Sequence, residues 1–463
     1  MLFSKSLLPV GASMLMLFSQ AYTKQVESET YDPTDYPIFQ LSADSDQAFF
    51  LEIPLSLAEA EGSNTGELLR IATQIVPGSE ESVYPAFYPF AEKINALAES
   101  INATVDPVGA RENYFHASTY YRSSVYYLVA NQSDPRLVSV WQQAITAFNK
   151  AIALLHPAPG ESFTAHQTNS SIGAYDIPGY FYKGSASNTT QLPTLIVMTG
   201  YDGSQQDEFH LACAEVLRRG INCVTLEGPG QPTPIRFQKI GFIPDYWTAL
   251  TPVVDLITNR TDVDTSKIVL LGDSFGGTLA PIAASREPRL SGVIMLDGLV
   301  NLQQQIGLSL GKLEDLFKSG NAKEFNAEME DVLINNQSQP IGDRYIFQQG
   351  LYTFNTTSPF EWFTQLGDIK VTPEVVEGVG DRPVFIARGQ DDNLTGVQAV
   401  YARDMFINNR TNGVNLTTYQ EFLTDLGAGE HTSIGAETQI FTAFSAWLSK
   451  IWGDYLFTDE QSY

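Results

Sequence analysis

Residues 268–277 read Ile268-Val269-Leu270-Leu271-Gly272-Asp273-Ser274-Phe275-Gly276-Gly277. The four apolar residues at the start of this stretch predict a short buried β-strand. Glycines on both sides of Ser274 predict a sharp turn, and the small residues that follow, as far as Ala283, predict a helix that packs closely on the strand. A strand, a turn and a helix in this order place the Ser274 hydroxyl at the helix N-terminus, so Ser274 is the candidate nucleophile.

The same Gly-x-Ser-x-Gly spacing occurs a second time, at Gly307-Leu308-Ser309-Leu310-Gly311. Residues 301–306 before it are glutamine-rich and contain no run of β-branched residues, so no strand is predicted there. Because the spacing alone arises by chance in many chains, the strand context decides between the two serines. Ser309 is therefore rejected as a nucleophile.

Short apolar runs alternate with amphipathic segments on both sides of Ser274. The helix predicted at residues 206–219 ends at Gly220, and further helices are predicted near residues 246–257 and after Ser274. This alternation predicts an α/β fold with a mostly parallel central sheet, helices on both faces, and ligands at the carboxyl ends of the strands. Strands are predicted at residues 174–182, 194–198, 221–226, 267–271, 293–296, 383–387 and 418–423.

The chain divides into four predicted regions. Residues 1–21 are predicted to be a secretory signal peptide, because Lys5 precedes a mostly apolar run that is shorter than the roughly 20 residues of a membrane-spanning helix. Residues 22–156 are predicted to form an N-terminal helical region, followed by a connector at residues 157–169. Residues 170–455 form the predicted catalytic domain, interrupted at about residues 299–380 by a helical cap. No membrane span is expected after signal removal.

The formal net charge is −26, from 27 Lys and Arg against 53 Asp and Glu. Such a charge repels polyphosphates, so we expect a small-molecule substrate and no nucleic-acid partner. No metal site and no cofactor are predicted. The sequence leaves the choice between a monomer and a homodimer open.

Cys213 and Cys223 are the only cysteines, which excludes a disulfide-rich scaffold and a zinc site built on thiolates. They fall on a predicted helix and on the strand after it. We expect two buried free thiols, with a disulfide between them as the alternative.

Ten Asn-x-Ser/Thr sequons accompany the predicted signal peptide. Some of them are expected to be glycosylated and exposed, which would place the protein outside the cell or in the lumen of the secretory pathway. The sequon asparagines are Asn102, Asn131, Asn169, Asn188, Asn259, Asn336, Asn355, Asn393, Asn409 and Asn415.

A serine nucleophile needs an imidazole base, and only one of the five histidines, His431, follows Ser274 in the chain. It ends the loop Gly427-Ala428-Gly429-Glu430-His431. The acid that orients the base is expected at the end of an intermediate strand, where Asp391 and Asp392 follow the strand at residues 383–387. The order Ser, Asp, His is the order of an α/β-hydrolase, and the choice between the two aspartates stays open at this point.

Two backbone N–H groups are expected to bind the oxyanion that forms when a carbonyl is attacked. One belongs to Phe275, directly after the nucleophile. The other is expected in the loop Thr199-Gly200-Tyr201-Asp202-Gly203 after an earlier central strand, most simply from Tyr201.

Several short segments between residues 112 and 431 resemble a fungal α/β-hydrolase family that includes the hydrolases of conidial yellowish-green pigment synthesis and of fusarin synthesis. Bacterial carbon–carbon hydrolases of nicotine breakdown are more distant. No single segment is specific, but together they are. They are Glu112-Asn113-Tyr114, Tyr120-Tyr121-Arg122, Gly228-Pro229-Gly230-Gln231, Gly272 to Gly277, Glu287-Pro288-Arg289, Asp297-Gly298 and Gly427-Ala428-Gly429.

The resemblance implies an α/β-hydrolase fold and selects Asp392 as the catalytic acid. In the carbon–carbon hydrolases an acidic residue follows the oxyanion donor. The matching Asp202 is expected either to orient a substrate keto group or to cap the next helix. The chain departs from the family at Pro232, where relatives usually have glycine, and in its predicted signal peptide.

Three functions follow as hypotheses. The first is a serine hydrolase that attacks a carbonyl of a polyketide-like secondary metabolite, cleaving an ester, amide or carbon–carbon bond or reshaping a product ring, and its substrate class rests on the resemblance. The second is a secreted general carboxylesterase. The third is a catalytically inactive binding protein, which would require the loss of one of the three site residues.

Overall fold

The computed structural model describes residues 41–457, so the predicted signal peptide at residues 1–21 lies outside the described residues. The described chain begins with helices that start at good N-caps. The Asn64 side chain accepts the backbone N–H of Gly66, and Asp106 accepts that of Gly109 with Pro107 at the first helical position. These helices are α1 (Ser45–Ser56), α2 (Thr65–Ala72), α3 (Val83–Ser100), α4 (Pro107–Ser124) and α5 (Arg136–Ile152).

An eight-stranded sheet follows, in the order β1-β2-β4-β3-β5-β6-β7-β8. The first two strands run antiparallel to their neighbours and all the others are parallel, which confirms the mostly parallel sheet predicted from the sequence. The strands are β1 (Glu161–Gln167), β2 (Tyr175–Tyr182), β3 (Leu192–Met198), β4 (Asn222–Leu226), β5 (Val263–Asp273), β6 (Gly292–Leu296), β7 (Val384–Gly389) and β8 (Thr417–Phe422).

The predicted connector at residues 157–169 contains a strand that was not predicted, because β1 occupies residues 161–167. This strand pairs on one side only, with β2, and of its seven residues only Ala165 is buried. An edge strand with so little burial carries no apolar alternation, so the sequence offered no signal for it.

Both faces of the sheet are covered by helices, and successive residues of β5 alternate between them. Ile268 and Leu270 belong to the core on one face, and Val269 and Leu271 to the core on the other. The helices outside the cap are α6 (Gln205–Glu208), a π-helical turn (Phe209–Cys213), α7 (Ala214–Leu217), α8 (Pro232–Phe237), α9 (Trp247–Thr258), α10 (Gly276–Ala284), α17 (Gln398–Asn408), α18 (Gly413–Leu416) and α19 (Glu437–Ile451).

Helices also fill the segment predicted as a cap. Ser309, the rejected serine, lies exposed inside the first of them, and its hydroxyl donates to the Ile306 carbonyl at 2.8 Å, so the strand–turn–helix context is absent there. The helices are α11 (Leu302–Leu310), α12 (Lys312–Lys318), α13 (Ala322–Met329), α14 (Ile341–Thr353), α15 (Pro359–Asp368) and α16 (Pro373–Val379).

The N-terminal helices and the cap share one apolar cluster. Tyr345 and Tyr352 of α14 pack with Phe50 and Tyr127 of the N-terminal region. The rings of Tyr126 and Tyr345 stack with their centroids 4.2 Å apart. These contacts tie the cap to the N-terminal helices above the carboxyl ends of the strands.

The expectation of two free thiols is wrong, because Cys213 and Cys223 form a disulfide with their Cα atoms 5.3 Å apart. The bond joins the π-helical turn to β4, and both residues are fully buried. All ten sequon asparagines lie outside the core, eight of them exposed and two, Asn336 and Asn409, half-buried. Among residues 41–457, no helix has both the length and the apolar character needed to cross a membrane.

Candidate active site

The turn after β5 holds Ser274 in a strained backbone conformation. Its φ is +57°, a left-handed value that is uncommon for residues other than glycine. The Ser274 N–H donates to the Leu296 carbonyl at 2.9 Å, which fixes the turn to the end of β6. A Cβ on Gly277 would lie 2.6 Å from the Cα of Gly298, so the helix after the serine can approach β6 only with glycine at this position.

Ser274, His431 and Asp392 lie in a hydrogen-bonded row. His431 Nε2 is 2.8 Å from Ser274 Oγ, and His431 Nδ1 is 3.0 Å from Asp392 Oδ2. These three residues follow β5, β7 and β8, parallel strands that are distant in sequence and whose carboxyl ends lie on the same side of the sheet. An activated serine requires this arrangement, with the base between the nucleophile and the acid.

The other four histidines have different surroundings. His210 Nδ1 lies 2.7 Å from the Ala60 carbonyl, and His116 Nδ1 lies 3.2 Å from Glu67. His166 is exposed beside Asp176, and His156 is exposed on the loop before β1. The structure therefore brings only His431 to Ser274, among the histidines.

Asp392, and not its neighbour Asp391, faces the histidine. Asp391 is exposed, and its carboxylate accepts the hydroxyl of Thr424. Asp392 is 2% exposed and accepts the backbone N–H groups of Leu394 and Thr395 at 2.9 and 3.1 Å, together with the Thr395 hydroxyl. Burial raises the pKa of Asp392, but His431 and these donors outweigh it and lower the pKa to about 2.

A further carboxylate, Asp297, lies behind the histidine. It follows β6, is fully buried, and its Oδ2 is 3.9 Å from His431 Nδ1. Burial and the neighbouring Asp392 raise the pKa of Asp297 to about 8. The sequence flagged Asp297 only as part of the Asp297-Gly298 segment and gave it no role, because nothing in its local pattern shows that β6 ends beside His431.

Neighbouring carboxyl groups raise the pKa of His431. Burial alone would lower its pKa, but Asp392, Asp297 and Asp273 raise the pKa to about 10. Burial and the charge of Asp202 raise the pKa of Asp273 itself to about 7. The base is therefore held in an environment that favours its protonated form, the form that exists after it has accepted a proton from the serine.

The ligand atoms of Asp297, Asp392 and His431 lie within 4.8 Å of one another, a spacing that could hold a cation. These carboxylate oxygens and the ring nitrogen already form hydrogen bonds within the protein, however. Asp297 accepts backbone N–H groups of Gly389 and Thr432, and Asp392 Oδ2 lies between His431 and the Thr395 hydroxyl. The donor set fits a hydrogen-bonded base better than a metal ion.

The loop after β3 lies against the nucleophile. A Cβ on Gly200 would be 2.8 Å from the backbone nitrogen of Phe275 and 3.1 Å from Ser274 Cβ. Within residues 41–457, the backbone N–H groups of Phe275 and Tyr201 form no hydrogen bond. Neither is therefore committed to another acceptor in this part of the chain.

Side chains from two other segments hold this loop in place. Gln349 of α14 donates to the Tyr201 carbonyl at 3.1 Å, and Gln231 donates to the Thr199 carbonyl at 2.5 Å. Gln231 is fully buried and precedes α8, whose first residue is Pro232. Proline is well suited to the first position of a helix, which accounts for the departure from the family pattern there.

Asp202 does not cap the following helix, so that alternative is wrong. The cap of α6 is Ser204, which forms a reciprocal pair of hydrogen bonds with Asp207. The Asp202 Oδ2 atom instead accepts the hydroxyls of Tyr126 at 2.6 Å and Tyr345 at 3.1 Å. Its carboxylate is thus oriented by one phenol from the N-terminal helices and one from the cap.

No family model matches the sequence. Curated proteins similar to it include hydrolase acrC of Aspergillus aculeatus, 28% identical over 265 residues, which are 55% of this chain and 61% of that protein. The 20-hydroxy-prefusarin hydrolase of Gibberella moniliformis is 31% identical over 252 residues, 52% of this chain and 58% of that protein. The matched region therefore spans about three fifths of the length of these relatives.

Solved structures resemble the chain over a greater length. The 2,6-dihydroxy-pseudo-oxynicotine hydrolase has a TM-score of 0.63 at 18% identity and covers 87% of this chain and 98% of its own. The protein AbyA5 has a TM-score of 0.54 at 16% identity, covering 85% and 95%. At these identities the likeness concerns the fold. The chain is an α/β-hydrolase-fold protein, and its sequence is similar to fungal hydrolases.

Proposed function

We propose that the chain is a serine hydrolase with Ser274 as nucleophile, His431 as general base and Asp392 as the acid that orients the base. The observation that carries the proposal is the 2.8 Å approach of His431 Nε2 to Ser274 Oγ on a strained turn. The relatives named above are hydrolases, and the fold positions such a row at the ends of its strands.

In the proposed reaction, Ser274 Oγ attacks a substrate carbonyl carbon while its proton passes to His431 Nε2. The charge that develops on the carbonyl oxygen is stabilised by the backbone N–H groups of Phe275 and Tyr201. The intermediate collapses to an acyl-enzyme, and the leaving group departs with the proton from His431. Water, deprotonated by His431, then attacks the acyl-enzyme and releases the second product with Ser274 restored.

We propose that the substrate is a polyketide-like secondary metabolite and that the bond cleaved is an ester, an amide or a carbon–carbon bond, or that a product ring is reshaped. The names of the fungal relatives support this class, and one of them is named for a prefusarin compound. Asp202 is proposed to orient the substrate. Because its carboxylate can only accept hydrogen bonds when ionised, it would bind a hydroxyl or the enol form of a ketone.

A secreted general carboxylesterase is the second candidate. The predicted signal peptide and the ten sequons, none of them buried, favour it. An esterase of this kind should hydrolyse short nitrophenyl esters of varied chain length at similar rates. A pathway enzyme should be selective, and deletion of its gene should cause one precursor to accumulate in a metabolite profile.

An inactive binding protein is the third candidate. It would require that one of the three residues be absent or displaced, but His431 lies within hydrogen-bonding distance of both Ser274 and Asp392. This arrangement argues against the third candidate.

Labelling with a fluorophosphonate probe tests the catalytic proposal without knowledge of the substrate. We expect the wild-type protein and the control variant Ser309→Ala to be labelled, and Ser274→Ala to remain unlabelled. The control removes the serine of the second Gly-x-Ser-x-Gly segment, which is exposed on α11. A folded wild type that does not react, or labelling that survives in Ser274→Ala, would contradict the proposal.

Secretion is proposed on the signal peptide and the sequons alone. Enzymatic removal of N-glycans from the protein made in a fungal host should increase its mobility on a gel. An unchanged band would count against passage through the secretory pathway.

A further inference from the structure

Asp297 is a buried acid that the proposed reaction does not use. It lies at the end of β6 with a φ of +50°, a conformation that is strained for a residue with a side chain. Its backbone N–H donates to the Ala387 carbonyl of β7 at 3.0 Å. A strained, fully buried carboxyl group needs strong interactions of its side chain to offset its burial.

The two oxygens of Asp297 bind the segments that carry the acid and the base. Oδ1 accepts the N–H of Gly389 at 3.0 Å, three residues before Asp392. Oδ2 accepts the N–H of Thr432, the residue after His431. A single side chain thus sets the distance between the two loops on which the row depends.

Asp297 also presents a carboxylate oxygen to the base. Its Oδ2 is 3.9 Å from His431 Nδ1, whereas Asp392 Oδ2 is 3.0 Å from the same nitrogen. Both acids lie near the same ring nitrogen, and the closer one, Asp392, forms the hydrogen bond. A shift of about 1 Å in the histidine would bring Asp297 within hydrogen-bonding distance.

We propose that Asp297 is a positioning residue for His431 and, when Asp392 is removed, a reserve acid that accepts the hydrogen bond from the Nδ1–H in its place. This inference rests on the proposed function. The proton stays on Nδ1 throughout, so only the carboxylate that accepts its hydrogen bond changes.

The pKa values of the two acids support Asp392 as the usual partner of His431 and Asp297 as the reserve. The pKa of Asp392 is lowered and that of Asp297 is raised, so Asp392 is the more readily ionised of the two acids. Removing Asp392 removes the repulsion that helps keep Asp297 protonated, which lowers its pKa and favours its ionised form beside His431. Asp273, the third acid that acts on His431, is present both in the wild type and in the protein without Asp392.

The test compares the rate of fluorophosphonate labelling in the wild type, Asp392→Ala, Asp297→Asn and the double variant. Alanine is used at position 392 because an asparagine amide would hydrogen-bond the histidine in the wrong tautomer. We expect Asp392→Ala to lose about tenfold to a hundredfold, well short of the roughly 10⁴-fold loss seen when the only triad acid is removed. Asp297→Asn should lose less than about tenfold, and the double variant about 10⁴-fold.

A second measurement needs no change at Asp297 and so does not depend on the folding of that variant. The pH midpoint of labelling in Asp392→Ala should stay above about 6.5, the ordinary value for histidine, because Asp297 is ionised beside it. If Asp297 takes no part, burial without an adjacent carboxylate should move the midpoint lower. Asp391→Asn, an exposed neighbour, serves as the matched control and should keep the wild-type rate and midpoint.

The outcomes separate the two proposals. A wild type that is not labelled overturns the proposed function and this inference together. A reactive wild type overturns the role of Asp297 alone if Asp392→Ala has already lost as much as the double variant, or if its midpoint falls below the ordinary histidine value. Melting curves of all four proteins identify any loss of rate that comes from unfolding.

Discussion

Gln231 joins two turns at the carboxyl end of the sheet, because its side-chain amide donates to the Thr199 carbonyl at 2.5 Å and accepts the N–H of Gly228 at 2.7 Å. Thr199 begins the loop that carries Tyr201, the proposed oxyanion donor. Gln231 is fully buried, so neither bond is exchanged with water. Residues 228–231, the segment that resembles the fungal family, therefore help to hold the loop after β3 in place.

Replacing Gln231 should weaken catalysis through this loop. Gln231→Glu keeps an acceptor for the Gly228 N–H but cannot donate to the Thr199 carbonyl, and we expect kcat on a nitrophenyl ester to fall about tenfold to a hundredfold. This expected loss is smaller than the roughly 10²–10³-fold loss in kcat that follows removal of one oxyanion donor. KM should change little. Gln142→Ala on the exposed side of α5 is the control, and a loss confined to KM would contradict the role of Gln231.

The pH dependence should reflect the raised pKa of His431. Only neutral His431 can accept the serine proton, so the rate should rise with pH through this pKa. Since the pKa is raised toward about 10, the midpoint should lie on the alkaline side of the usual value of about 6.5. Asp392→Asn should shift the midpoint to lower pH while slowing the reaction. An acidic midpoint in the wild type, measured as kcat/KM against pH, would be inconsistent with this electrostatic setting.

Substitution of Gly277 should distort the turn at Ser274. The added methyl group of Gly277→Ala would lie 2.6 Å from Gly298 Cα, which is backbone and cannot rotate away. We expect a loss of about 1–3 kcal/mol in the free energy of unfolding and a slower rate of labelling. Gly307→Ala in α11 is the matched control, since its Cβ would have no contact closer than 3.6 Å, and it should be neutral or slightly stabilising. Equal effects of the two changes would refute the packing argument.

The disulfide should contribute to stability. It closes a short loop, with a sequence separation of 10, for which removal is expected to lower the free energy of unfolding by about 2–3 kcal/mol. The double variant Cys213→Ala/Cys223→Ala, compared with the oxidised wild type by chemical denaturation, measures this. Titration of free thiols in the unfolded wild type provides the check, and two reactive thiols would show that the bond is not formed.

Residues with a local signature could be predicted from the sequence. Ser274 has its strand, turn and helix within ten residues, and His431 follows from the short list of histidines and their order along the chain. The parallel strands β3, β4 and β6 are buried throughout and consist mostly of apolar residues. In each case the information lies in neighbouring residues.

Features that depend on adjacency between distant segments could not be predicted in the same way. Asp297 matters because β6 and β7 are neighbours and the loop of His431 folds over both. The Cys213–Cys223 bond depends on how the π-helical turn lies over β4. The partners of Asp202 are 76 and 143 residues away from it, so their convergence on one carboxylate has no counterpart in the sequence pattern.

The two phenols on Asp202 have a consequence for how a substrate enters. Tyr126 belongs to the N-terminal helical region and Tyr345 to the cap, and the hydroxyls of their stacked rings both donate a hydrogen bond to the carboxylate. Any movement that parts these two layers removes at least one phenol from Asp202 and leaves the carboxylate with an unfilled acceptor. A substrate hydroxyl arriving at that moment would fill it, so admission of a ligand and its first recognition would be a single event.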